Sequence, residues 1–124
     1  MTSVTIAPAQ TIQNILKELP TLLAVAVVET ETGMALAGHA NIADFDIETA
    51  AAYNTEVVKQ KLKAITALKL NQTVQDILLT LTDQLHLLKL SPDGGKFIYL
   101  AVNARDTNLA VARQVLKAHS DVLK

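Results

Sequence analysis

Three histidines, twelve carboxylates and one Gly-Gly-Lys are the groups with which this chain could do chemistry. Gly94-Gly95-Lys96 has the ending of a phosphate-binding loop. That motif needs a glycine where Leu90 stands and Ser or Thr where Phe97 stands, and a helix N-terminus to hold the phosphate. The flanks here read as strand, turn, strand, so the expectation is a hairpin turn and no nucleotide or other cofactor. Asp44, Asp46 and Glu48 alternate as the first ligands of a calcium loop would. Such a loop then requires Gly where Thr49 sits and a bidentate Glu where Thr55 sits. Helix capping and dipole matching are expected instead, and no metal site.

His39, His86 and His119 are isolated, without the His or acidic partner three or four residues on that a metal pair needs. His119 falls on the apolar arc of a helix and is expected to be satisfied or interfacial. His86 leaves one enzymatic alternative open, a small-molecule binder or hydrolase using it with nearby acids. No G-x-S-x-G nucleophile motif accompanies it. The absence of cysteine excludes thiolate catalysis, disulfides and Cys-ligated zinc.

The composition narrows the field further. The 124 residues fit one domain spanning 1–124, and 50% apolar content is ample for a core. A net charge of -1 gives no basic excess for nucleic acid or an anionic membrane. Phe45, Tyr53, Phe97 and Tyr99 are the only aromatics, too few for a stacking platform. The longest apolar run, Leu22 to Val28, is far short of the ~20 residues of a membrane span. The first twelve residues lack a basic n-region, so the chain is expected to be cytoplasmic, with no direct membrane insertion. Asn71-Gln72-Thr73 matches a glycosylation sequon and is read as chance. Acids dominate before residue 59 and Lys and Arg after it. Lys59, Lys61, Lys63 and Lys69 form either a solvated helix face or a contact for an acidic partner.

The elements that must position these groups can be read from pattern. Pro8 opens a helix carrying Ile12, Ile15, Leu16 and Leu19, which Pro20 stops. Leu22–Val28 and Met34–Ala37 form a hairpin around Glu29-Thr30-Glu31-Thr32-Gly33, with Gly33 at positive φ. A long helix follows from Asp46 to about Leu70, with acids at its start and Lys at its end. Ile47, Ala51, Asn54, Val58, Leu62 and Ile65 mark its apolar face. Tyr53, Val57 and Ala64 widen that face beyond what one sheet requires. Three strands are expected at Val74–Leu81, Leu85–Leu90 and Phe97–Val102, then a helix from Asp106-Thr107 to about Leu123. Leu22–Val28 and Phe97–Val102 are apolar on both faces, so helices should cover both sides of the central strands.

Two segments carry a family resemblance. Leu22 to Ala37, an apolar strand, an acidic turn, Gly33 and a short strand, resembles the first hairpin of roadblock domains, the dynein light chain roadblock family. Phe97 to Arg113, with its Asn108-Leu109 pair and following Arg113, resembles their last strand and helix start. The element order α-β-β-α-β-β-β-α agrees along nearly the whole chain. The resemblance implies an α+β, profilin-like three-layer α/β/α sandwich. In it a five-stranded antiparallel sheet has the middle helix on one face and the terminal helices on the other. It also implies a homodimer formed through the middle helix and the third strand, with no GTP site of its own and a small Ras-like GTPase as partner. Tyr53, Asn54, Val57, Val58, Lys61, Ala64, Ile77 and Leu79 are the expected interface residues. Function is expected to be that of a non-enzymatic regulator or scaffold, able to modulate GTP hydrolysis by its partner. The alternative is a self-assembling subunit of a signalling or motility complex without a GTPase.

Overall fold

The structure, a computed structural model, describes residues 6–123. Its elements are α1 (Pro8–Glu18), β1 (Ala24–Glu29), β2 (Ala35–Ala40), α2 (Ile47–Ala67), β3 (Ile77–Thr80), β4 (Gln84–Leu90), β5 (Lys96–Asn103) and α3 (Leu109–Ser120). The five strands form one antiparallel sheet in the order β2-β1-β5-β4-β3. This is the element order and layering that the resemblance implied.

The alternation of side chains along β1 and β5 divides the interior into two cores. Val25, Val27, Ile98 and Leu100 face α1 and α3, meeting Ile12, Ile15, Val115 and Leu116. Ala24, Ala26, Val28, Phe97 and Tyr99 face the other way, toward Ala51 and Val58 of α2. The small residues of β1 on that side let the long helix approach closely. Gly38 of β2 extends this approach, since a Cβ there would lie 2.8 Å from Ile47 Cγ2.

Local chemistry sets the boundaries. Asp46 caps α2, its carboxylate accepting from the Thr49 amide at 3.0 Å and the Thr49 hydroxyl at 2.7 Å. Asn108 caps α3 through the Val111 amide, at 3.2 Å. At the other end of α2, Lys69 takes φ 56°. The Leu70 amide then bonds the Ile65 carbonyl and the Lys69 amide bonds the Thr66 carbonyl, a Schellman ending with lysine at the left-handed position.

Three expectations change. β3 is four residues rather than eight, because the chain before it is held outside the ladder. Asp76 is bonded by Arg113 of α3 through two nitrogens, at 2.9 and 3.2 Å, and the Gln75 carbonyl accepts from Lys89. β2 runs on to Ala40 and carries a register shift opposite Val27/Val28, a bulge that the sequence did not announce. No basic residue occupies the last turn of α2. The lysines expected to complement its dipole have separate positions instead. Lys59 donates to the Glu31 carbonyl at 2.9 Å, Lys61 and Lys63 are exposed, and Lys69 lies past the helix end.

Candidate functional site

The residues first considered for chemistry are occupied locally. Asp93 Oδ1 accepts from the Gly95 amide at 2.8 Å and the Ser91 hydroxyl at 2.9 Å, while Ser91 Oγ accepts from the Lys96 amide. These bonds hold the Asp93 carboxyl below its ordinary pKa, the Gly95 amide contributing most. A carboxylate from the turn itself thus takes the Gly95 amide, and the segment forms the turn between β4 and β5. Among the described residues no group of three or more His, Asp or Glu could hold a metal. Asp46 caps α2, and Asp44 takes a left-handed backbone at φ 61°.

The histidines lie in three different places. His39 pairs with Asn41 Oδ1 at 2.7 Å, and Asn41 in turn donates to the Leu22 carbonyl. His119 on α3 pairs with Glu18 on α1. His86, on β4, meets Gln84 Oε1 at 2.8 Å through Nε2 and the Tyr99 hydroxyl at 3.3 Å through Nδ1. Burial lowers its pKa, and burial pushes Tyr99 up to about 12. The hydrolase alternative calls for acids near His86, and its ring nitrogens meet an amide oxygen and a phenol that burial keeps protonated. His86 also stands edge-on to Tyr99, ring centroids 5.4 Å apart, and Phe45 stacks on Tyr99 at 6.3 Å. Sequence reasoning missed this row. Its signal was the period of two along the β4–β5 hairpin, which brings His86 and Tyr99 to one face once the turn sets the register.

What the fold does assemble is an uncovered surface. α2 packs on β1 and β2. Ala52 and Thr55 stand against Gly33, and Lys59 reaches Glu31, so that flank of the helix faces the β1–β2 hairpin. At about 100° per residue, Tyr53, Val57 and Ala64 lie around the opposite flank. Val57 from α2, Ile77 from β3 and Leu90 from β4 all border the same core cluster, so this flank of the helix and the β3–β4 face lie over one core. Tyr53 (73% exposed) and Leu79 (37%) protrude from it.

The expected interface residues divide accordingly. Tyr53, Lys61 and Leu79 are exposed, and Asn54, Val57, Ala64 and Ile77 are half-buried. Asn54 donates to the Ala50 carbonyl of its own helix at 2.8 Å. Val58 is a correction: it has no exposed surface and belongs to the protomer's own core. It stands seven residues, about two turns, from Ala51, on the side of α2 that packs on the sheet.

The two sheet edges differ. β2 carries its bulge and has α1 and α2 packed against it. β3 pairs with β4 without a register shift, and Ile77-Leu78-Leu79-Thr80 contains neither charge nor proline. Apart from its shortness, four residues, this strand has no charge, proline or bulge to guard it.

No family model matches the chain, and no curated protein matches it in sequence. Solved structures do. Myxococcus xanthus MglB superposes with a TM-score of 0.81 at 13% identity, covering 94% of this chain and 84% of that one. A roadblock/LC7 domain from Streptomyces avermitilis gives 0.77 at 12% identity, covering 90% of each chain. A gliding protein, MglB from Thermus thermophilus, gives 0.75 at 13% identity, covering 99% of this chain and 94% of that one. The fold is the roadblock/LC7 fold.

Proposed function

We propose that the chain is a non-enzymatic homodimeric regulator or scaffold, cytoplasmic, whose dimer binds a small Ras-like GTPase and modulates its GTP hydrolysis. The observation that carries the dimer is an apolar flank of α2 and an uncharged outer strand, β3, that border one core cluster. A two-fold axis beside β3 would pair edge with edge and cover both flanks at once. Such a seam should bury about 1,200–2,000 Å² in total. The roadblock fold supports the GTPase half of the reading through the resemblance set out above, and a fold neighbour named as a gliding protein fits a regulatory subunit of that kind.

Light scattering after size exclusion tests the dimer. Tyr53→Glu alters an exposed ring, leaves the protomer core untouched, and is expected to give a folded monomer. Wild-type protein that is monomeric at micromolar concentration would end the reading. The GTPase half is tested by binding small GTPases of the source cell in the presence of GDP or a non-hydrolysable GTP analogue. A dimer that binds none of them in either state would instead be a self-assembling subunit.

A further inference from the structure

The half-buried histidine on the uncovered face bears on how such a dimer would respond to its surroundings. His86 is paired in register with Leu79 of the open edge strand and with Ala101 of β5. It lies on the α2 side of the sheet, the same side as Tyr99 and Leu88, which also face away from α1 and α3. With Gln84 Oε1 as the acceptor, the neutral ring carries its proton on Nε2 and accepts at Nδ1 from the Tyr99 hydroxyl. Both nitrogens are satisfied in the neutral ring. A second proton, at Nδ1, would turn the tyrosine hydroxyl from donor to acceptor and leave a cation whose polar neighbours are both uncharged.

Among the described residues, both polar groups bonded to the ring are uncharged. On β4's own side of the sheet the neighbours are Gln84 and Tyr99, and β3 contributes Leu79. Asp83, just before β4, is exposed and paired with Arg105 at 3.8 Å. Lys89 is directed to the Gln75 carbonyl. The middle of α2 offers Lys59, Lys61 and Lys63 against one carboxylate, Glu56. While the face is open, water solvates an imidazolium. A second copy that covers the ring without bringing a carboxylate to it would remove that water and leave the charge unpaired.

We propose that His86 makes the two-fold seam proton-sensitive, so that the dimer forms with the ring neutral and loosens as the ring is protonated. This rests on the homodimer reading. The sign follows from linkage: a seam that disfavours the imidazolium lowers the His86 pKa in the dimer below that of the free protomer. The seam's full strength is then present above the protomer pKa and declines as pH falls through it.

The test is sedimentation equilibrium between pH 7.5 and 5.5 at fixed ionic strength, with far-UV circular dichroism checking that the protomer stays folded. The wild-type dissociation constant is expected to rise about tenfold or more across this range, since each dimer carries two such rings. His86→Gln should dimerise with little dependence on pH, while His39→Gln and His119→Gln keep the wild-type dependence. A second measurement needs no variant: the His86 ring resonance followed by NMR should titrate at lower pH as protein concentration is raised. A flat wild-type profile, a dimer that tightens in acid, a His86→Gln dimer that keeps the dependence, or a ring titration independent of concentration would each overturn the proposal. A chain that is monomeric at every pH would overturn the homodimer reading and the switch with it. A pH-independent dimer removes the switch alone.

Discussion

At the scale of single residues, this fold depends most on places where a small side chain lets two elements touch. Gly38 is the clearest. A methyl group there would meet Ile47 Cγ2 at 2.8 Å and the Val25 carbonyl oxygen at 3.2 Å. Neither can swing away, one being a β-branch and the other backbone. Gly38→Ala is therefore expected to cost about 1–3 kcal/mol, as overpacking of a tight contact does. An unchanged midpoint in chemical denaturation would show that α2 has room to shift. Asp46 gives a pH-dependent counterpart. Its bonds to the Thr49 side chain and amide hold the carboxyl below its ordinary pKa. The stabilisation is thus present above the usual carboxylate range and is lost as pH falls through the lowered folded value. Asp46→Ala should lower the melting temperature at neutral pH, and the gap from wild type should narrow in strong acid. A gap that widens in acid would contradict the cap.

Elements were legible in the sequence to the extent that their causes are local. Pro8, the Asp46 cap, Gly33 at φ 77° and the Ser91–Gly95 turn each act within a few residues, and each is where the pattern placed it. Both central strands could be recognised because burial on two faces removes the polar alternation. What could not be read depends on distant partners. β3 begins only after Asp76, which is held by Arg113, 37 residues further on. The β2 bulge depends on the register against β1. Likewise, the aromatic row around His86 exists only in three dimensions. The helix ending at Lys69 is a local feature that pattern reading passed over, since nothing but Gly or Asn usually advertises it. A lysine there holds a backbone geometry that its Cβ disfavours. Lys69→Gly should stabilise the protein by roughly 0.5–1 kcal/mol, relief of strain outweighing the added chain entropy. Loss of stability on this substitution would mean that the lysine side chain makes a contribution beyond its backbone.

For the whole molecule, the homodimer proposed above would bring one edge of the sheet to a second copy, and the two edges allow a paired experiment. Leu79 on β3 and Leu36 on β2 are nearly equally exposed, at 37% and 40%. Each sits on an outer strand, and neither belongs to the fully buried core. Replacing either with lysine therefore adds the same charge at similar exposure, and the protomer should tolerate both. Their surroundings differ. Leu36 lies within the register shift of β2, a strand bent by its bulge and packed against two helices, where edge-to-edge pairing is already discouraged. Leu79 lies on a straight, uncharged edge beside the apolar flank of α2, where a two-fold seam would place lysine against lysine with little water between them. Leu79→Lys is expected to weaken the dimer at least tenfold, and Leu36→Lys to leave it unchanged, both read by sedimentation at a concentration where the wild type is mostly dimer. High salt should partly rescue Leu79→Lys by screening the repulsion. The reverse pattern would move the seam to β2 and leave the open β3 edge without an occupant. Two unaffected dimers would place the contact on the helices alone.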